Sequence, residues 1–214
     1  MATLHILGPG FSSFVRSVML CCEEKGVDYA IGFEPNGQSI DFKSDEHLKL
    51  HPYGKVPALI HGDRVIFETA VICRYIDAAF DGPALQPDDL WGRIQVDQTA
   101  AEIGLYIDQA LVRKLLLEFA FPKGENGTVR MDAVEQALPE AYRALARVEL
   151  LLGNRQFIAG DRYTLADALL TPMLDYLSGL PMGADLIPVS GTLDQYLQRM
   201  RARPSGVKVL RSRR

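Results

Sequence analysis

The sequence predicts an α/β domain followed by an all-helical one. Residues 1–80 alternate short apolar runs with helical patterns. Asp81-Gly82-Pro83-Ala84-Leu85-Gln86-Pro87 then interrupts both periodicities as a linker. Beyond it no strand signal recurs, and apolar residues return at helical spacing. At 214 residues the chain suits two small domains better than one. The predicted boundaries are 1–80 for the α/β domain, 81–88 for the linker and 89–214 for the helical domain.

Each element has a local reason. Residues 3–7 form a short apolar strand, broken by Gly8-Pro9-Gly10. A helix over 13–25 stops where Gly26 takes the left-handed conformation just past the last turn. A second strand is expected over 27–33 and a short polar helix over 41–50. Strands 56–60 and 64–67 are joined by His61-Gly62-Asp63, where glycine supplies the tight turn. A helix over 68–80 completes a β-α-β-α-β-β-α order, which implies parallel pairing first and an antiparallel edge after it. The helical part predicts segments at 91–121, 129–152, 165–177 and 193–201, the first with Ile94, Ile103, Ile107 and Leu111 on one side.

Composition removes several function classes. Hydrophobic residues make up 48% and charged residues 23%, as in ordinary globular proteins. A net charge of −4 lacks the basic excess of a nucleic-acid binder. The cations Arg199, Arg201, Arg203, Lys208, Arg211, Arg213 and Arg214 read as a solvated, frayed terminus. No basic, signal-like segment opens the chain, and no apolar run reaches the ~18–20 residues of a membrane span. Cys21, Cys22 and Cys73 are odd in number and include no Cys-x-x-Cys pair, so neither a disulfide framework nor a zinc site is expected. A reducing cytoplasm fits them.

Three segments together resemble the glutathione transferase superfamily. Phe11-Ser12-Ser13-Phe14-Val15-Arg16-Ser17-Val18, running on to Glu23-Glu24-Lys25-Gly26, is similar to the family's first loop and helix. His51-Pro52-Tyr53-Gly54-Lys55-Val56-Pro57-Ala58-Leu59 with Phe67-Glu68-Thr69-Ala70-Val71-Ile72 is similar to its glutathione-binding core. Gly160-Asp161-Arg162-Tyr163-Thr164-Leu165-Ala166-Asp167 is similar to the folding motif of its helical domain. The resemblance implies a thioredoxin-like first domain, glutathione as co-substrate with no metal, and a detoxifying enzyme that conjugates glutathione to a small apolar electrophile. It also implies a homodimer with no nucleic-acid or membrane partner.

The chemistry asks for a thiolate. A free thiol with a pKa near ~8.5 is only a few per cent ionised at neutral pH. Lowering that pKa by about two units needs roughly 2.7 kcal/mol of preferential stabilisation of the anion. A hydroxyl donor and the positive end of a helix can supply much of it. From the residues alone, Ser12 and Ser13 both read as caps of the first helix. The resemblance places the activating group at Ser12, with Ser13 as the alternative, and argues for transfer rather than disulfide exchange because no cysteine stands there.

The other site residues also rest on the resemblance. It implies a cis Val56-Pro57 bond, with the Val56 backbone pairing with the cysteinyl unit. Glu68 and Thr69 would hold the γ-glutamyl group at a helix start, Thr69 standing where serine is usual. Lys55 and Lys43 are candidates for the glycyl carboxylate, although Phe42 departs from the His-Lys pair of some classes. An electrophile site would lie between Pro9, Gly10, Phe11 and the long helix, near Tyr106 and Leu111. Arg74 and Asp77 would contact a partner subunit, and Asp97 would reach the partner's glutathione. Thr164-x-x-Asp167 is a helix cap whose loss costs about 1 kcal/mol. Two alternatives remain at this point: an isomerase of the maleylacetoacetate type, for which Phe14 replaces a typical cysteine, and a non-catalytic binding module.

Overall fold

The structure, a computed structural model, describes residues 4–210. Four strands, β1 (Leu4–Leu7), β2 (Tyr29–Gly32), β3 (Ala58–His61) and β4 (Arg64–Phe67), form one sheet in the order β2-β1-β3-β4. β1 and β2 run parallel, while β1–β3 and β3–β4 are antiparallel, as the element order predicts. Strand β2 is shorter than the 27–33 expected, and β3 starts at Ala58 rather than residue 56, since Pro57 has no N–H for the ladder.

Helix α1 (Ser13–Lys25) ends at Gly26 with φ 67°, ψ 33°, the left-handed geometry anticipated there. Helix α2 spans Asp45–Leu50, four residues later than expected, because the Ser44 side chain accepts from the His47 amide and sets the start. Helix α3 is Thr69–Ala79.

The long segment after the linker begins as α4 (Leu90–Glu102) but does not stay α-helical. It widens into π-type turns over Ile103–Ile107 and Gln109–Leu116, then closes with α5 (Leu117–Ala120). A 3.6-residue pattern cannot distinguish such widening, which is frequent near functional sites. There follow α6 (Met131–Leu152), α7 (Leu165–Ser178), α8 (Gly183–Leu186), α9 (Thr192–Ala202) and α10 (Pro204–Val209). The sequence reading missed α8 and α10, which are too short to show periodicity.

Helix α7 is buried along almost its whole length and packs most extensively against α1. Its start is held by Asp167, fully buried. The Asp167 carboxylate accepts from Thr164 N–H at 2.8 Å, Thr164 O–H at 3.0 Å, Ile158 N–H at 2.9 Å and Tyr196 O–H at 2.9 Å. Burial pushes its pKa up, and those four donors pull it down.

The C-terminal cations are not a frayed tail as far as Lys208. Arg203 pairs in bidentate fashion with Glu24, Lys208 meets Glu23 at 2.6 Å, and Arg201 meets Asp175 at 2.7 Å. They clamp α9 and α10 onto the last turns of α1 and onto α7. Their partners lie far away along the chain, so the sequence alone shows only the cations. Arg211, Arg213 and Arg214 lie outside the described residues, as does Thr3, where the first strand was expected to begin.

Candidate functional site

Sheet register brings the scattered motifs to one end of the sheet. Leu7 pairs with Ala58, and Ala58 pairs with Phe67. The next residues along, Gly8, Pro57 and Glu68, therefore stand abreast. The Val56–Pro57 peptide bond is cis. Outside helices and strands, no backbone hydrogen bond among the described residues uses the N–H or C=O of Val56. Those groups suit the main-chain pairing expected for a cysteinyl unit.

Gly8 brings Val56 close to α1. Its φ is +138°, and a Cβ there would lie 2.8 Å from Val15 Cγ2 and 2.9 Å from Val56 Cβ. Gly8→Ala is thus expected to force Val56 away from α1, with a loss of about 3 kcal/mol in urea unfolding from overpacking and backbone strain. Glutathione affinity should weaken with it.

Ser12 caps α1 in extended geometry, φ −67° and ψ 130°. Its Oγ accepts from Val15 N–H at only 3.4 Å, a long bond, and its own O–H meets no acceptor among the described residues. No acidic side chain occupies the first turn of α1, so no carboxylate of that turn competes for its positive end. Ser13 lies one residue inside the helix, its carbonyl accepting from Ser17 Oγ at 3.1 Å.

Three residues that sequence reasoning missed secure the Ser12 loop. Arg16, buried in α1, donates through Nε to Gly10 C=O at 3.1 Å and faces Asp175 at 3.6 Å. Its guanidinium also lies 4.4 Å from the Tyr176 ring centre. Tyr176 O–H in turn donates to Phe11 C=O. Thus α1 and α7 together hold the two successive carbonyls, of Gly10 and Phe11, that precede Ser12. A buried arginine on an apolar helix was the only available signal.

On the far side, Glu68 opens α3 at φ 71°, a left-handed value uncommon for a residue with a side chain. The Glu68 side chain makes no cap hydrogen bond to α3, whose first turn begins at Thr69. Nearby His51 is buried against Phe67, ring centres 5.2 Å apart. Burial lowers its pKa, and the charge of Glu68 pulls it back up.

Lys43 comes close to Gly54, the residue before Lys55. Lys43 is left-handed at φ 67°, and its Cγ is 3.4 Å from where a Gly54 Cβ would stand. Its side chain therefore crosses the loop that leads to Lys55 and Val56. Phe42 packs against His47, with ring centres 5.2 Å apart.

The expected electrophile site needs revision. Leu111 is fully buried, so it belongs to the core, while Tyr106 is exposed. The residues facing the Ser12 loop lie further along. Phe121 meets Phe11 with ring centres 6.3 Å apart, and the Arg113 guanidinium lies 5.9 Å from the Phe14 ring. Phe11 and Phe121 are 60% and 53% exposed, so an apolar surface stays open beside Ser12. Arg113 Nε donates to Asp108 at 2.8 Å. Burial pushes the Asp108 carboxyl up, and Arg113 draws it down.

The cysteines take no part. All three are buried and free. A hydrogen bond to Cys73 together with burial pushes the Cys21 thiol up, and burial does the same to Cys22. Protonated, buried thiols are poor nucleophiles. Among the described residues, no group of three or more His, Cys, Asp or Glu is arranged to hold a metal ion.

Comparison with known proteins agrees with this geometry. A family model for the glutathione S-transferase N-terminal domain matches residues 11–79, and one for the C-terminal domain matches residues 110–204. The chain is 30% identical to glutathione S-transferase 1 of Zea mays over 176 residues, covering 78% of this chain and 77% of that protein. It is 26% identical over 220 residues to probable glutathione S-transferase GSTF1 of Oryza sativa subsp. japonica, covering 98% and 96%. The crystal structure of poplar glutathione transferase F1 superposes with a TM-score of 0.84 at 25% identity, covering 98% of this chain and 97% of that one.

Proposed function

The chain belongs to the glutathione S-transferase family and is a transferase with glutathione as co-substrate, and we propose that Ser12 holds the glutathione thiolate for attack on a small apolar electrophile. The observation that carries this reading is the Ser12 hydroxyl at the weakly capped, acid-free start of α1, next to the open Phe11–Phe121 surface. The hydroxyl donates to sulfur, and the helix start favours the anion. The Val56 backbone pairs with the cysteinyl unit, and Pro57 follows it at the strand start. Glu68 and Thr69 take the γ-glutamyl end, and Lys43 and Lys55 take the glycyl carboxylate. Phe14, packed under Arg113, leaves no thiol beside Ser13, which favours transfer over the isomerase reading.

On this reading, residues 1–80 are the glutathione-binding domain, 81–88 the linker and 89–214 the helical domain. Among the described residues strands end at Phe67, and every element after the linker is helical. Glu68→Gln and Thr69→Val are expected to raise the glutathione KM about tenfold each with little change in kcat, because they hold a part of the substrate that does not react. Steady-state kinetics with chlorodinitrobenzene as acceptor check this; a fall in kcat at unchanged KM would remove both residues from the binding role.

A two-fold dimer in a reducing cytoplasm, serving detoxification, completes the proposal. Among the described residues no helix is long and apolar enough to cross a membrane. Exposed Trp91, Leu90 and Ile94 on α4 and Val71 on α3 supply an apolar face. Arg74 and Asp97 pair with each other at 2.6 Å across α3 and α4 within one chain. Asp77 is not available as expected, because its carboxylate accepts from Lys25 and from Leu85 N–H. Sedimentation should give twice the chain mass; a monomer at assay concentration contradicts the dimer.

A further inference from the structure

His47 bridges the two lysine-bearing loops of the proposed glutathione site. It is fully buried on α2, in a three-ring cluster with Phe33 and Phe42. Its Nδ1 lies 2.9 Å from Lys43 N, and its Nε2 lies 2.9 Å from Lys55 O. A backbone amide only donates and a carbonyl only accepts. Nδ1 therefore carries the lone pair and Nε2 the proton, which fixes one neutral tautomer. Each nitrogen holds one loop, and neither bond can be exchanged for the other.

The bridge acts on backbone rather than on the lysine heads. Lys43 stands in the left-handed region, where a non-glycine residue needs outside support. The His47 acceptor supplies such support at that residue. At the other end, the bond to Lys55 C=O holds the carbonyl immediately before Val56. The same imidazole thus sets where two cationic side chains leave the main chain. Lysine is a flexible point charge, so its binding contribution depends on how well its base is held.

We propose that His47 is a positioning residue for glycyl-carboxylate recognition, and that it sets the preference for glutathione over the shorter thiol γ-glutamylcysteine. The proposal rests on the reading that glutathione lies along Ser12, Val56 and Glu68. His47 touches no substrate atom; it acts through Lys43 and Lys55. The two thiols share the γ-glutamyl and cysteinyl units, so only the glycyl end separates them.

The test is the ratio of kcat/KM for glutathione to that for γ-glutamylcysteine, with chlorodinitrobenzene as acceptor, in wild type and three variants. His47→Leu removes both bonds and is expected to lower the ratio about tenfold, with kcat at saturating glutathione nearly unchanged. His47→Asn retains an acceptor for Lys43 N–H, and His47→Gln retains a donor for Lys55 C=O. Each should give an intermediate ratio, and they carry the test if His47→Leu does not fold. A ratio that stays at the wild-type value while both efficiencies fall in parallel would show that His47 only stabilises the fold. Wild type that turns over neither thiol would instead defeat the function reading beneath it.

Discussion

Ser12→Ala is expected to lower turnover about a hundredfold near neutral pH while glutathione affinity stays within a few-fold. The size follows from the anion. A shift of about two pKa units corresponds to roughly 2.7 kcal/mol, and loss of the hydroxyl donor removes a large share of it. Affinity is spared because the peptide is held elsewhere, by Val56, Glu68, Thr69 and the lysines. The substitution also removes the α1 cap, but that bond is already long at 3.4 Å. Stability should therefore fall by less than the ~1 kcal/mol of a good cap, so the lost rate cannot be ascribed to unfolding. Ser13→Ala is the control. Its residue sits inside the helix rather than at the cap, and its turnover should remain near wild type; the opposite ranking would move the activating role to Ser13.

Asp167→Ala is expected to destabilise the protein by at least about 4 kcal/mol, enough to leave much of the chain unfolded at ordinary temperature. Four donors converge on this carboxylate in a fully buried site. Alanine leaves all of them without an acceptor. By contrast, Thr164→Val should cost about 2 kcal/mol, because it removes one hydrogen bond to a charged group and leaves the other three donors paired. That exceeds the ~1 kcal/mol expected of an ordinary cap, since Thr164 O–H ends on a buried carboxylate. Urea unfolding followed by circular dichroism measures both. Similar midpoints for Asp167→Ala and wild type would mean that water replaces the carboxylate.

What the sequence disclosed about the fold was the part written in local chemistry. Gly26 stops α1 because only a left-handed residue fits there, and the His61-Gly62-Asp63 turn can join only neighbouring strands. The β-α-β-α-β-β-α order then left few topologies, and the observed sheet is among them. The widened turns of the long helix left no such mark. They change hydrogen bonding without changing which residues are apolar.

The candidate site divides along the same line. Ser12, Val56-Pro57 and Glu68-Thr69 were singled out by the resemblance, since from the residues alone they read as helix caps and a strand-entry proline. His47 was not, since it looks like any polar residue on a short helix until both of its partners are in place. Asp175 and Tyr176 were invisible for a related reason, and Arg16 showed only as an arginine on an apolar helix: all three matter only once α7 lies against α1. Leu111 was assigned to the cleft by the resemblance, and periodicity could not correct it, since it shows that a residue faces inward and not which surface it meets.

The most direct test of the central claim is the thiolate absorbance of bound glutathione as a function of pH, in wild type and Ser12→Ala. The account predicts a thiol pKa clearly below that of free glutathione in wild type, restored toward the free value by the substitution. Bound glutathione with an unshifted pKa in wild type, or a depressed pKa that survives the loss of Ser12, would contradict it.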